Sequence, residues 1–338
     1  MIIGPRVIFN LKSRQIGQTV REEGVKEHLK KTGVPTMGGI IILIPLMITS
    51  LLWTKINAFV VVSLLVTAGM GLIGFFDDIT KVVRARSLGL TPRQKLAGQI
   101  ITGLAAALAI NYYPGLRFEL ANATSNSIEM SPTATQVPIF GALDLGWLYI
   151  PFAVAVIVGA SNAVNLTDGL DGLAAGSMIV ATTPFLVFAY VCGHLIFARH
   201  LGVAYIPGVG ELAVICAALI GGSFGFLWHN AHPAAVFMGD TGSLALGGSL
   251  GAIALCSKTE VFLAIVGGIF VIEALSVILQ VSYFKMTKGK RIFKMSPIHH
   301  HFELCGWPEE KVVIRFWIMG IMLAMVGLTL FAARLVAV

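Results

Sequence analysis

The chain has 338 residues, of which 56% are hydrophobic and only 12% are charged, and its formal net charge is +7. A soluble domain carries about 25% charged residues, so the composition excludes an ordinary soluble domain and predicts an integral membrane protein. The positive charge then fits the collection of Lys and Arg on the cytoplasmic side of membrane proteins, and nucleic acid is not a predicted partner.

Nine apolar runs are long enough to cross a membrane. In chain order they lie at about 38–54, 58–76, 96–113, 147–164, 173–193, 211–228, 243–257, 261–284 and 312–334. We therefore predict an all-α fold, a polytopic transmembrane helix bundle that forms a single domain over residues 1–338. The run 243–257 is short and rich in Gly, which predicts close packing inside the bundle. The run 261–284 is long for one span and predicts a tilt or a break near Gly267 and Gly268.

The Lys and Arg residues are unevenly distributed, with 7, 5 and 6 of the 24 in segments 1–37, 77–95 and 285–311. These segments are therefore predicted to face the cytoplasm. Loops 165–172 and 229–242 hold neither residue and join them by alternation of the spans. We predict that these five segments form one active site, whereas the polar loop 114–146 is an outer surface loop without catalytic residues.

Asp77 and Asp78 end the second predicted span. Adjacent carboxylates repel each other, and the helix dipole is unfavourable for anions at a helix C-terminus. Anchoring at the membrane surface is one interpretation of the pair. A divalent cation or a cationic neighbour would offset both penalties, so we favour a functional role, although an Asp-Asp pair alone is a weak motif.

The segment Asn162–Gly172 carries Asn165, Asp168 and Asp171 at intervals of three residues. This spacing predicts one shared face on a helical turn. The alternative is a capping loop for the next helix, but a cap needs only one such side chain. We therefore favour ligand binding.

Asp240 lies in the run Phe-Met-Gly-Asp before a Gly-rich span. It either caps the following helix or contributes to a Mg²⁺ site, because Mg²⁺ is bound through one or two carboxylates plus substrate phosphates. Phe237 either stacks on a flat base or packs in the interior.

The last cytoplasmic segment contains His299, His300 and His301. Successive side chains do not converge on one ion without a special backbone, and no fourth ligand has suitable spacing, so zinc is disfavoured. We predict that these imidazoles bind phosphate or sugar.

Three further polar positions lie near the predicted cytoplasmic face or inside a span. Lys31 and Thr36 precede the first span, where they either anchor the membrane or contact an anionic ligand. Lys95 begins the third span and can reach the same site. Glu273 falls within an apolar run, where a carboxylate is costly unless it is paired, and a structural role is the simpler interpretation.

Five runs together resemble the phospho-N-acetylmuramoyl-pentapeptide transferases, the translocase I family of the polyprenyl-phosphate hexosamine-1-phosphate transferases. They are Pro35–Gly39, Gly74–Asp78, Asn162–Gly172, Phe237–Ser243 and Pro297–His301. The resemblance extends in order from residue 4 to about residue 334. The triple-His segment favours translocase I within the superfamily.

The resemblance implies a Mg²⁺-dependent transferase of bacterial peptidoglycan synthesis. Undecaprenyl phosphate would attack UDP-N-acetylmuramoyl-pentapeptide, releasing UMP and forming lipid I on the cytoplasmic face of the inner membrane. It also implies a homodimer and ten spans, of which the first is missing here. A related transferase acting on UDP-N-acetylglucosamine is the nearest alternative, and a lipid-linked sugar transporter is a more distant one. Direct attack is favoured over a covalent aspartyl intermediate.

From the residues and the resemblance together, we predict three sets of site residues. The catalytic set is Asp77, Asp78, Asp240, His299, His300, His301 and Lys95. The substrate-binding set is Lys31, Thr36, Asn162, Asn165, Asp168, Asp171 and Phe237. The metal ligands are Asp240 and Asp168.

Overall fold

The computed structural model describes residues 1–13, 33–84, 89–112, 119–120 and 128–333. Its α-helices are α1 Gly4–Ser13, α2 Ile40–Trp53, α3 Ala58–Val83, α4 Pro92–Tyr112, α5 Tyr149–Thr167, α6 Leu173–Cys192, α7 Leu195–Leu201, α8 Leu212–Asn230, α9 Gly239–Cys256, α10 Glu260–Val266, α11 Gly268–Met286, α12 Ile298–Leu304 and α13 Glu309–Ala332. Each of the nine apolar runs falls on a helix or, for 261–284, on the pair α10 and α11.

The fold class is confirmed: the protein is an all-α, multi-pass membrane protein. Among the described residues, six helices are long and apolar enough to cross a membrane, namely α3, α5, α6, α8, α11 and α13, with α5 and α8 each extended by a preceding 3₁₀ turn. Helix α2 is apolar but shorter. The two remaining predicted spans coincide with α4 and α9, so the total of nine stays a prediction.

Helix α9 forms the centre of the bundle. Every residue from Thr241 to Cys256 is buried, and α3 and α5 are the helices most extensively packed against it. A Cβ at Gly247 would lie 2.4 Å from the carbonyl oxygen of Ala160 on α5. The predicted internal packing of this Gly-rich run is therefore confirmed, because only small residues allow the backbones to approach this closely.

The predicted break in the long run 261–284 is also confirmed. Helix α10 ends at Val266 and α11 begins at Gly268, with Gly267 between them. The first helix is only seven residues long, so the two together replace one continuous span.

The described part of the predicted outer loop contains short strands. Its strands are β1 Glu119–Leu120, β2 Ile128–Glu129, β3 Ala134–Val137 and β4 Gly141–Asp144, and β1 also pairs with β5 Ala204–Tyr205. Strands β3 and β4 form an antiparallel hairpin in which β3 is mostly buried.

Thr135, on β3, and Tyr149 donate hydrogen bonds of 2.5 and 2.7 Å to the buried Glu260. Lys258 is fully buried beside Tyr149, with an Nζ–OH distance of 2.9 Å. The expectation of a simple surface loop is therefore wrong for β3, since its side chains satisfy buried polar groups.

At the opposite end, the segment before α2 pairs with the segment before α9. The N–H of Phe237 donates to the carbonyl of Pro35 at 2.8 Å, and the N–H of Gly38 donates to the carbonyl of Phe237 at 2.8 Å. The N–H of Gly39 donates to the carbonyl of Met238 at 2.9 Å. This pairing fixes where α9 begins.

We expect Gly74→Ala to lower the thermal stability of the protein. A Cβ at Gly74 would lie 2.1 Å from the carbonyl oxygen of Asp240, so α3 and α9 would have to separate. Overpacking of this kind costs about 1–3 kcal/mol. Thermal unfolding in detergent measures the change. Gly221→Ala is the matched control, because a Cβ at that helical glycine meets no atom within 4 Å; equal melting temperatures for the two variants would contradict the prediction.

Candidate active site

Three carboxylates from two helices meet at one end of the bundle. Asp77 and Asp78 come from the last two turns of α3 and are buried, and Asp240 comes from the first turn of α9. One carboxylate oxygen from each lies within 4.8 Å of the others. The structure thus brings together residues that are more than 160 positions apart in the sequence.

Asp78 holds the beginning of α9. Its carboxylate accepts hydrogen bonds from the N–H groups of Asp240 and Thr241, at 3.1 and 2.9 Å, and from the Thr241 hydroxyl at 2.7 Å. The first N–H groups of a helix have no intrahelical partner and need such an acceptor. Met238, at the N-cap position of α9, supplies none. Asp78 therefore caps a neighbouring helix, and Asp240 does not have to serve as the cap.

Two lysines lie among these carboxylates. Lys81 Nζ is 2.6 Å from Asp77 and 3.2 Å from Asp240. Lys95 Nζ is 2.7 Å from Asp240. Lys95 was predicted, whereas Lys81 was missed as a site residue, although its position one turn after Asp77 predicts contact on a helix. The two cations offset the repulsion that an Asp-Asp pair creates.

Asn165 completes the contacts of Asp240. Its amide donates to Asp240 Oδ1 at 2.9 Å and to the Ser243 hydroxyl at 2.8 Å. Asn162, one turn earlier on α5, instead exchanges hydrogen bonds of 2.9 and 3.3 Å with Gln99 of α4. Asn165 thus contacts the carboxylate cluster directly, and Asn162 joins the two helices behind it.

Asp168 lies at the C-cap of α5 and is half-buried. Burial, and then the nearby negative charges of Asp240 and Asp78, raise the pKa of its carboxyl to about 8. Among the described residues, the carboxylate group within 4.8 Å comprises Asp77, Asp78 and Asp240 and leaves Asp168 outside. Its predicted role as a metal ligand stays a prediction.

The predicted shared face of Asn165, Asp168 and Asp171 ends with α5. The helix stops at Thr167, and Gly172 adopts a positive φ of 81°. The chain therefore turns before Asp171, whose carboxylate is buried against His232 with an Oδ2–Nδ1 distance of 3.0 Å. The expectation of one helical face is wrong for Asp171, because α5 ends at Thr167 and Asp171 lies in the turn before α6.

The three histidines face different partners. His299 is fully buried, and its Nδ1 lies 3.0 Å from Glu273. His300 Nδ1 lies 2.7 Å from Glu303. His301 Nδ1 accepts a hydrogen bond of 3.1 Å from the backbone N–H of Lys294. The contact of His299 therefore joins this segment to α11, whereas the contacts of His300 and His301 lie within the segment.

Glu273 emerges as a residue that sequence reasoning underrated. It comes from α11, is fully buried, and pairs with His299. The ring of His299 also packs against Gly169, where a Cβ would lie 2.3 Å from Nε2. The pair therefore joins α11 and α12 to the loop after α5, and the signal was the isolated carboxylate within an apolar run.

We expect Glu273→Ala to destabilise the protein by about 1–3 kcal/mol, because removal of one partner leaves a buried polar group unpaired. Glu273→Gln retains an acceptor and should lose less. The free energy or midpoint of unfolding in detergent tests this order. Glu129→Ala, at an exposed position in β2, is the control that should match the wild type; a Glu273→Ala midpoint equal to that of this control would refute the role.

Other predicted residues have simpler positions. Thr36 is buried close to Gly239, with its hydroxyl 2.9 Å from where a Cβ on that glycine would lie. Phe237 is half-buried two residues before α9. Lys31 lies outside the described residues. The proposed ligand contacts of all three stay predictions.

The carboxylate cluster has the donor chemistry for a hard divalent cation. All its ligand atoms are oxygens, which suit Mg²⁺ or Ca²⁺ better than softer metals. Asp77 Oδ1 accepts from the N–H of Leu90 at 2.9 Å, and Asp78 is engaged with the start of α9. Asp77 Oδ2 and Asp240 Oδ2 instead face the Lys81 ammonium, at 2.6 and 3.2 Å, and they are the oxygens best placed to hold a metal ion.

Comparison with known proteins identifies relatives over nearly the whole chain. Residues 59–258 match the family described as Glycosyl transferase family 4. The chain is 50% identical over 335 residues to a phospho-N-acetylmuramoyl-pentapeptide-transferase of Desulfotalea psychrophila, covering 99% of this chain and 90% of the relative. Proteins with the same name from Thermodesulfovibrio yellowstonii and Solidesulfovibrio magneticus are 50% and 51% identical, covering 97% and 99% of this chain and 88% and 90% of the relatives.

Proposed function

The chain belongs to the phospho-N-acetylmuramoyl-pentapeptide-transferase family, and from this membership we infer the reaction that it performs. It transfers phospho-N-acetylmuramoyl-pentapeptide from UDP-N-acetylmuramoyl-pentapeptide to undecaprenyl phosphate. The products are lipid I and UMP, and the reaction is the first membrane step of peptidoglycan synthesis. Cell-wall formation, cell shape and cell division depend on that step.

The observation that carries this proposal is the cluster of Asp77, Asp78 and Asp240 with Lys81 and Lys95. It lies at one end of the helix bundle, next to lysine-rich segments assigned to the cytoplasmic side. A soluble nucleotide sugar and the phosphate of a membrane lipid can both reach such a position. A transporter would instead be expected to bind its substrate near the middle of the membrane.

Phosphoryl transfer depends mostly on positioning and on neutralisation of charge. Lys81 and Lys95 hold fixed positive charge beside Asp240, at 3.2 and 2.7 Å. They are placed to orient the diphosphate of the nucleotide sugar and to stabilise the charge that develops on the leaving UMP. Asn165 keeps the Asp240 carboxylate in place from the other side, at 2.9 Å.

We favour direct attack by the lipid phosphate. The second pKa of a phosphate monoester is about 6, so the lipid phosphate is mostly a dianion at neutral pH and gains little from a base. The three hydrogen bonds that Asp78 accepts from α9 support a positioning role for this residue. A labelled phospho-sugar trapped on the protein without lipid acceptor would overturn this preference.

Mg²⁺ is the proposed cofactor, with Asp240 as its principal ligand and Asp77 as the second. When bound, it would neutralise the diphosphate as a Lewis acid. Asp168 is retained as a proposed further ligand, although it lies outside the close carboxylate group. The proposed location is the bacterial inner membrane, with the site on the cytoplasmic face, and the proposed assembly is a homodimer.

Removal of divalent metal tests the cofactor. We expect chelation with EDTA to lower UMP release from UDP-N-acetylmuramoyl-pentapeptide by at least about 10²-fold, and added Mg²⁺ to restore it. Bound Mn²⁺, measured by electron paramagnetic resonance, should be present in the wild type and absent from Asp240→Asn. Full activity without divalent metal, or equal Mn²⁺ binding by both proteins, would argue against this assignment.

A further inference from the structure

A second charged cluster lies beside the site, around His232. Its carboxylates are Asp171, from the turn after α5, and Glu309 and Glu310, from the first turn of α13. His232 Nδ1 lies 3.0 Å from Asp171 and 3.6 Å from Glu309, and Nε2 lies 3.3 Å from Glu310. None of these groups contributes to the Asp77, Asp78 and Asp240 cluster.

The same cluster also fixes the backbone of three cytoplasmic segments. The N–H of Asp171 donates to Glu309 at 2.8 Å, and the N–H of Ala234 donates to Asp171 Oδ2 at 3.1 Å. Asp171 Oδ2 is therefore held from two sides, by the His232 ring and by the backbone N–H of Ala234. Both contacts orient the carboxylate of Asp171.

This arrangement continues to the beginning of α9. Asn230 accepts a hydrogen bond of 3.0 Å from the N–H of Gly172 and donates one of 2.9 Å to the carbonyl of Val236. The next residue, Phe237, is paired with Pro35 at 2.8 Å. Asp171 and Phe237, two of the predicted substrate-binding residues, thus belong to one hydrogen-bonded unit.

Both ring nitrogens of His232 face carboxylates, Asp171 at Nδ1 and Glu310 at Nε2. Without His232, three carboxylates would stand together beside a site that must accept an anionic nucleotide.

We propose that His232 is a positioning residue for nucleotide binding, which orients Asp171 and screens the three carboxylates from the uridine diphosphate part of the substrate. The proposal rests on the proposed function, since it concerns the same substrate. The His232 side chain is 33% exposed, so its replacement by alanine leaves no large buried cavity. His232 does not contact the Asp240 cluster, which separates its effect from an effect on phosphoryl transfer.

The test compares kinetic constants with binding of UMP. For His232→Ala we expect the KM for the nucleotide sugar and the Kd for UMP to rise by about 10-fold, the scale of a lost charged hydrogen bond. The kcat and the KM for undecaprenyl phosphate should stay within about 2-fold of the wild type, because chemistry is intact. His232→Asn retains a donor near Nδ1 and should recover part of the loss, as should Glu310→Gln added to His232→Ala.

His229→Ala is the matched control, because this histidine lies three residues earlier and its ring faces the N-terminal segment instead, packed against Gly4 and 3.4 Å from the carbonyl of Met1. It should behave as the wild type. Unchanged KM and UMP binding in both His232 variants, or a fall in kcat alone, would overturn the proposal. If the wild type binds UMP but transfers no sugar, the proposed function fails, and the UMP affinities still decide the role of His232.

Discussion

Replacement of Asp240 by asparagine is expected to lower the rate of UMP release by at least about 10³-fold, the upper range for loss of one electrostatic group in an active site. Asp240 is the residue on which the cluster converges: Lys95, Lys81 and Asn165 contact its two oxygens at 2.7, 3.2 and 2.9 Å. Asparagine has the same shape, and its backbone N–H still donates to Asp78. The start of α9 should therefore remain folded while the negative charge is lost.

The assay follows UMP release by purified protein in liposomes. Asp144→Asn is the matched control, since Asp144 is exposed on the hairpin of β3 and β4 and its carboxylate accepts from Thr133 and Gly146. It should have wild-type activity. If Asp240→Asn retained more than about a tenth of the wild-type rate, the assignment of this carboxylate to the reaction centre would be wrong, because that corresponds to less than about 1.4 kcal/mol in the barrier.

The second large effect is expected for Lys81→Met, which should lower kcat by about 10²-fold or more. Lys81 is the only described lysine within 4 Å of all three carboxylates, at 2.6 Å from Asp77, 3.7 Å from Asp78 and 3.2 Å from Asp240. Methionine fills a similar volume without the charge, so the three carboxylates would repel each other and the diphosphate. Lys81→Arg keeps the charge but not the compact geometry of the ammonium group, so its kcat should lie between those of the wild type and Lys81→Met.

Steady-state kinetics and thermal unfolding together test this prediction. Lys285→Met is the control, because Lys285 is an exposed residue in the last turn of α11. A kcat for Lys81→Met close to that of the control would contradict the role of Lys81. A loss explained wholly by unfolding would assign it to stability instead.

Much of the fold follows from apolar patterning alone. Runs of membrane-crossing length coincide with helices, and the two glycines in 261–284 mark the break between α10 and α11. The hairpin of β3 and β4 and the buried Lys258 did not follow, because nothing in a polar segment shows which of its side chains will satisfy buried groups elsewhere. Such contacts depend on packing between distant parts of the chain.

The site could be predicted from the sequence where it consists of carboxylates, which are costly beside a membrane. Asp77, Asp78 and Asp240 stood out for that reason, and the structure brings them together. The helix-capping role of Asp78 was not predictable, because a cap is normally sought in the residues just before its own helix. Likewise, the pairing of Glu273 with His299 required knowledge of which segments meet.

The direct test of the central claim is the product formed by the purified wild-type protein. Liposomes containing undecaprenyl phosphate and Mg²⁺ would receive UDP-N-acetylmuramoyl-pentapeptide labelled in the sugar, with UDP-N-acetylglucosamine in a parallel reaction. We predict lipid-dependent release of UMP in equal amount to labelled lipid I, and no comparable product from UDP-N-acetylglucosamine. Release only from UDP-N-acetylglucosamine, or no lipid-linked product from a folded protein, would contradict the assignment.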